Sequence, residues 1–146
     1  MSNEFEADLR QLQGELSASR AGLLDAIQSL DDADLDRARR GGWTVAHVLG
    51  HVIQSEYLYG GLVAAIVGAT ARSAQRSEPL TSRATALEEL AATREALLGA
   101  LASATEENFY RLQQFGHDEY SVISVLENAA NHDREHAEQI RRTLIV

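Results

Sequence analysis

The sequence predicts an all-α four-helix bundle, on three observations. Apolar residues recur at helical spacings along four separate segments, Pro79 is the sole proline, and aromatics make up only 5% of a chain rich in Ala, Leu, Arg and Glu. At 146 residues the chain has the size of one domain, residues 1–146, able to bury a substantial core without covalent crosslinks.

The first helix follows from Phe5, Leu9, Leu12, Leu16, Leu23, Ile27 and Leu30, which form one apolar stripe. Asp31-Asp32 and Gly41-Gly42 bracket the break after it. Thr44 is the expected N-cap of a second helix running through Val45, Val48, Leu49, Val52, Leu58, Leu62 and Ile66. This helix is apolar around much of its circumference, so it is expected to be the most buried. Its uncharged run, Tyr57 to Ala71, is shorter than the roughly 20 residues that span a bilayer and contains Gly60, Gly61 and Gly68, so no membrane segment is expected.

Ser73 to Ser82 reads as the central connection, and Leu87, Leu90, Leu97, Leu98 and Leu101 define the third helix. Ser103 to Tyr120 is irregular, with Thr105-Glu-Glu able to cap a short helical turn. Ser121 caps the fourth helix, whose stripe is Val122, Val125, Ala129, His132, His136 and Ile140. Trp43-Thr-Val-x-x-Val-Leu49 matches Tyr120-Ser-Val-x-x-Val-Leu126. Either two helical hairpins are related by duplication, or both segments show the common start of a buried helix.

Composition excludes several chemistries. The chain has no cysteine, so disulfides, thiolate metal sites and a cysteine nucleophile are ruled out, and any reactive thiol comes from outside. Its 13 basic residues, all arginine, face 22 acids, for a net charge of −9. That balance repels phosphate backbones and anionic lipid, so neither nucleic acid nor a membrane surface is an expected partner. The first residues, Met1-Ser-Asn-Glu-Phe-Glu, lack the features of a secretion signal, and a cytoplasmic location is expected.

The five histidines carry the functional signal. His132 and His136 lie four residues apart on the fourth helix, so their imidazoles share a face. At about 100° per residue, His136 falls within roughly 40° of Val122, Val125, Ala129 and Ile140, on the core-facing side. Buried imidazoles are costly unless their nitrogens are satisfied, by carbonyls or carboxylates or by one shared metal ion. A second pair at the same spacing, His47 and His51, opens the second helix and favours the metal. His51 lies two turns in, where helices touch. His47 falls in the first turn, where a fourth ligand, a supporting group and a solvent-facing residue all remain open. The expected triad is His51, His132 and His136, whose nitrogen ligation suits zinc, nickel, iron or copper and leaves coordination positions free.

Around the triad, Asp133, Glu135 and Gln139 are candidates to orient an imidazole, with Asp133 about 60° from His136 and Glu135 about 100°, an angle that equally suits a solvated surface role for Glu135. Ser55, one turn beyond His51, is aimed at the pocket or is a small residue permitting close packing. Ser55 and Asp133 are the candidates to act beside the metal, and Glu56 or Asp133 would be the base of a hydrolase. Trp43 reads as core or staple packing, and His117, beside Asp118 and Glu119, as exposed. Tyr57, Tyr59 and Tyr120 are candidate pocket residues, and Arg37, Arg39 and Arg40 either contact an acidic thiol or form a solvated loop. His132-Asp-Arg-Glu-His136 shares the frame of the zinc-protease helix, with the shorter Asp where its general base stands and no strand expected to align a peptide.

Taken together, Trp43-Thr-Val-Ala-His-Val-Leu-Gly-His51, then Ser55-Glu56, and Asn131-His-Asp-Arg-Glu-His-Ala-Glu-Gln-Ile140 resemble the DinB-like (DinB/YfiT-type) family of four-helix-bundle metalloenzymes. The resemblance covers nearly the whole chain and assigns the family's metal triad to His51, His132 and His136. It departs at His47, where the family usually has Glu or Gln. It implies a divalent transition metal (zinc, nickel or iron) near one end of the bundle, a homodimer, a small-molecule substrate and a stress-response setting. Among relatives are low-molecular-weight-thiol S-transferases and small-molecule self-resistance proteins, so a thiol-dependent transferase is the expected activity. A metal-dependent hydrolase and a non-catalytic binding protein are the alternatives.

Overall fold

A computed structural model describes residues 2–70 and 78–145. Part of the connection expected over residues 73–82, and the last residue of the uncharged run, lie outside them. Four long helices form the molecule: α1 (Asn3–Ile27), α2 (Val45–Val67), α3 (Arg83–Leu101) and α5 (Val122–Leu144). The short α4 (Glu106–Tyr110) and an antiparallel hairpin, β1 (Gln113–Phe115) with β2 (Asp118–Tyr120), fill the segment that lacks helical periodicity. The hairpin is an addition to the expected all-α bundle; it turns at Gly116, whose φ of 64° favours a residue without Cβ.

Side-chain caps start every helix. Ser2, Thr44, Ser82, Thr105 and Ser121 each accept a hydrogen bond from the amide three residues on, satisfying a donor with no partner inside the helix. α2 stops at Gly68 in the left-handed conformation, with φ 75°. α1 stops at Ile27, earlier than its apolar stripe suggests, because Asp31 and Asp34 cap each other and start a 3-10 turn at Asp32–Asp36. Leu30 is still buried, in the connection rather than in the helix.

α1 packs on α5, α5 on α2 and α2 on α3. α2 is the most buried helix, as its composition demands. An apolar groove lined by Leu24, Leu87, Ala91 and Leu98 runs between α1 and α3. No helix of the described residues is long and apolar enough to cross a membrane.

The core is divided into two clusters by a layer of charge. One cluster gathers Phe5, Leu16, Val63, Leu97, Phe109, Val125 and Leu126, and the other Leu23, Ile27, Val48, Leu49, Ile53, Leu90 and Ile140. Along each long helix one charged residue of this layer lies between residues of the two clusters: Arg20, Glu56, Arg94 and Asp133. The repeat seen in the helix starts extends through this layer. Pairing Leu16, Ser19, Arg20 and Leu23 with Leu90, Thr93, Arg94 and Leu97 preserves every spacing, as does pairing Thr44, Val45, Leu49 and Glu56 with Ser121, Val122, Leu126 and Asp133. The exchange swaps the two clusters and turns the α1–α5 contact into the α3–α2 contact. A duplication that repeats the helix pair α1–α2 as α3–α5 accounts for this pattern, with each helix packing chiefly on a helix of the other pair.

Candidate metal centre

α2 and α5 bring three histidines together. Packing of the two helices sets His51 against the α5 pair, with ring centroids 4.8 Å from His132 and 5.0 Å from His136. The Nε2 of His132 lies 3.0 Å from the Nε2 of His51 and 3.0 Å from the Nε2 of His136. One ligand nitrogen from each residue falls within 4.8 Å of the other two, and all three side chains are half-buried.

This arrangement fits a metal ion on chemical grounds. A neutral ring nitrogen carries either one proton or one lone pair, so the single Nε2 of His132 cannot make an ordinary linear hydrogen bond to both neighbours. One cation among the three nitrogens satisfies all of them. Nitrogens 3.0 Å apart are close enough for one shared ion to be held at metal–nitrogen bonds of ~2.0–2.1 Å. Gln139, one of the three residues placed to orient an imidazole, does so: its Oε1 lies 2.7 Å from the Nδ1 of His136. An amide oxygen only accepts, so Nδ1 carries the proton and Nε2 presents its lone pair to the centre.

The local electrostatics favour the neutral form of His132 and His51. Burial, followed by the charges of His136 and His51, pushes the His132 imidazole down to about 4, against an upward pull from Glu56. Burial first, then His136 and His47, lowers His51 from its ordinary value. Both shifts hold the basic lone pair available near neutral pH.

His47 is exposed in the first turn of α2, outside the group of three, and its backbone amide donates to the Thr44 cap. Its ring lies under Trp43, centroid to centroid 4.3 Å, and Trp43 also meets His51 edge-on at 5.2 Å. Trp43 is therefore not core or staple packing. It stands 44% exposed beside the histidines, because it precedes the cap and its ring folds back over the start of α2. Tyr59 meets His132 edge-on from the next turns of α2, 5.9 Å between centroids. His117 is exposed, in the hairpin turn.

The acids expected beside the metal point elsewhere. Asp133 is buried and accepts from Arg20 Nε at 2.9 Å and Arg94 Nη2 at 3.1 Å. The reading of Asp133 as the group that orients an imidazole, or as a hydrolytic base, gives way to this one: its carboxylate is directed at two guanidiniums. Glu56 is buried in the same layer and is bound by Arg20, by Arg94 Nε at 2.6 Å and by the Thr93 hydroxyl at 2.9 Å. The two arginines hold its carboxyl below the usual range against the cost of burial, which removes it as a free base. Glu135 is exposed. Ser55 is half-buried one turn beyond His51.

Arg20 and Arg94 were not singled out as functional from the sequence, although a signal existed. Each lies on an apolar stripe, four residues after a leucine and three before another, where an unpaired charge would be prohibitively costly. A buried partner of opposite sign was required.

Beside His47 and His51 lies a cavity of about 660 Å³, lined by Leu35, Thr44, Gly50, Gln54, Leu80 and their neighbours. Ser55 is not part of its lining, but Asp32, Asp36 and Glu78 are, and no described arginine is. Arg37 bonds the Leu144 carbonyl at 3.0 Å, while Arg39 and Arg40 are exposed away from the cavity wall.

Comparison with curated proteins finds no match. Among solved structures, the chain is similar to TT2238, a four-helix bundle protein, at 24% identity and TM-score 0.72, over 91% of this chain and 98% of that one. It is likewise similar to a DinB-like protein from Bacillus cereus ATCC 10987, at 19% identity and TM-score 0.72, over 95% of this chain and 89% of that one. At such identities these likenesses speak for the fold. The family model of the DinB superfamily matches residues 7–140, through both ligand-bearing helices. The chain belongs to the DinB superfamily.

Proposed function

We propose that the protein is a metal-dependent enzyme acting on a small molecule, with a low-molecular-weight-thiol S-transferase type of reaction at the three-histidine site. The observation that carries the metal reading is the convergence of two imidazole nitrogens on the Nε2 of His132, each at 3.0 Å. When bound, a divalent zinc, nickel or iron ion supplies Lewis acidity that favours the deprotonated form of a coordinated thiol or water. His51, His132 and His136 offer imidazole nitrogens, and Gln139 accepts from the His136 Nδ1, which leaves Nε2 facing the centre. The absence of cysteine supports an external thiol. In the net reaction a carbon–sulfur bond forms to the electrophile, and the leaving group departs with its electron pair and the thiol proton.

The neighbouring cavity has the volume of a small-molecule site. Its three carboxylates favour a neutral or cationic substrate over a polyanionic one. Metal analysis of the purified protein and of His51→Ala and His136→Ala tests the site: a near-stoichiometric ion is expected in the parent and lost in both variants, and unchanged content in the variants would overturn the assignment. Turnover of a model electrophile with and without added thiol then tests the reaction. Thiol-dependent turnover is expected. Thiol-independent turnover would make the protein a hydrolase, and tight ligand binding without turnover a sequestration protein.

A further inference from the structure

The buried charge layer has a bonding pattern that a simple ion pair lacks. Each arginine bridges both carboxylates. Arg20 binds Glu56 through Nη2 and Asp133 through Nε, while Arg94 binds Asp133 through Nη2 and Glu56 through Nε. The remaining guanidinium nitrogens complete the repeated pattern. Arg20 Nη1 donates 2.8 Å to the Leu90 carbonyl, and Arg94 Nη1 donates 2.9 Å to the Leu16 carbonyl.

Both carboxylates belong to the helices that carry the histidines, and both guanidiniums to the helices that carry none. Glu56 sits on α2 five residues beyond His51, and Asp133 on α5 next to His132 and three residues before His136. Neither α2 nor α5 can slide along the other without breaking bonds to the same two forks.

We propose that Arg20 and Arg94 are positioning residues of the histidine site, setting the axial register of α2 against α5 and thereby the spacing of His51 from His132 and His136. This inference rests on the metal reading above. The magnitude makes register matter: a slip of one residue displaces a helix by about 1.5 Å, comparable with a metal–nitrogen bond of ~2.0–2.1 Å. A planar fork can hold two carboxylates at once, whereas an ammonium is a point charge on a flexible stem. Burial of two ion pairs is by itself weak support for stability, so a role in fixing geometry accounts for the layer better than a stabilising one.

Arg20→Lys and Arg94→Lys keep the charge and remove the fork. Titration with Co²⁺, read by the ligand-field bands in the visible spectrum, reports both affinity and coordination geometry. Each variant is expected to bind Co²⁺ about tenfold more weakly, the scale on which outer supports of metal ligands act, and to shift the bands. A Phe109→Leu variant, in the buried cluster that holds Leu97 and Leu126, is the control. It is expected to lower the melting temperature of the metal-free protein while keeping the parental affinity and bands. If a lysine variant does not fold, Arg94→Met combined with Glu56→Gln, which removes one charge of each sign, is read in the same way. Parental affinity and bands in the folded variants would overturn the positioning role and leave the metal site standing. Failure of the parent protein to take up Co²⁺ would overturn both.

Discussion

At the scale of single residues, the decisive contact is the one between His136 and Gln139. A histidine ligand works only if the correct nitrogen keeps its lone pair, and the Gln139 oxygen, 2.7 Å from Nδ1, fixes that choice. Gln139→Leu preserves the bulk and removes the acceptor. Metal affinity of this variant, measured by competition with a chelator, is expected to fall by about 10–100-fold; an unchanged affinity would show that packing alone orients the ring. Gln139 follows His136 by three residues on the same helix, so helical spacing was enough to name it, together with Asp133 and Glu135, as a candidate. Spacing was not enough to choose among the three. The choice depended on Arg20 and Arg94, which draw Asp133 away, and on the solvent that surrounds Glu135.

At the scale of elements, each ligand-bearing helix starts from a hydroxyl cap and carries its histidines at a set distance from it. The α5 cap is reciprocal: the Ser121 hydroxyl accepts from the Ser124 amide at 3.2 Å, and the Ser124 hydroxyl accepts from the Ser121 amide at 2.9 Å. Ser121→Ala is expected to lower stability by about 1 kcal/mol, seen in urea as an earlier unfolding midpoint at unchanged slope. No change in the midpoint would mean that packing of Val122, Val125 and Leu126 fixes the helix start without the cap. Thr44, Thr105 and Ser121 were all legible as caps because the signal is local, a hydroxyl just before a periodic segment. The β1–β2 hairpin was not legible: strands of three residues are too short for alternation to register.

At the scale of the whole molecule, the half-buried histidines and the charge layer make the fold sensitive to acid. The folded chain holds the His132 imidazole at about 4, against 6.5 for an ordinary histidine. Between those values the unfolded chain binds a proton that the folded chain does not, so stability falls as pH drops through that window. Glu56 is held below its ordinary 4.5 by Arg20 and Arg94, so its contribution is present above that value and is lost as pH falls further. The melting temperature of the metal-free protein is therefore expected to decline from about pH 6.5 downward, and His132→Gln to reduce the upper part of the decline, leaving the share of His51. A flat profile between pH 6.5 and 4 would contradict the neutral, half-buried imidazole.

The four long helices, three of the caps, the buried character of α2 and the grouping of His51 with His132 and His136 could all be read before any fold was known. The reason is that 3.6 residues per turn decides which side chains share a face, and an apolar face has to meet another. Partnership across the bundle could not be read in this way. Arg20 stands 36 residues from Glu56 and 113 from Asp133, and no local period links such positions. Nor could the stripe tell that Trp43 lies over His47 and His51 instead of in the core. These outcomes depend on the register of one helix against its neighbours, where burial makes an unpaired charge too costly to leave and so selects its partner.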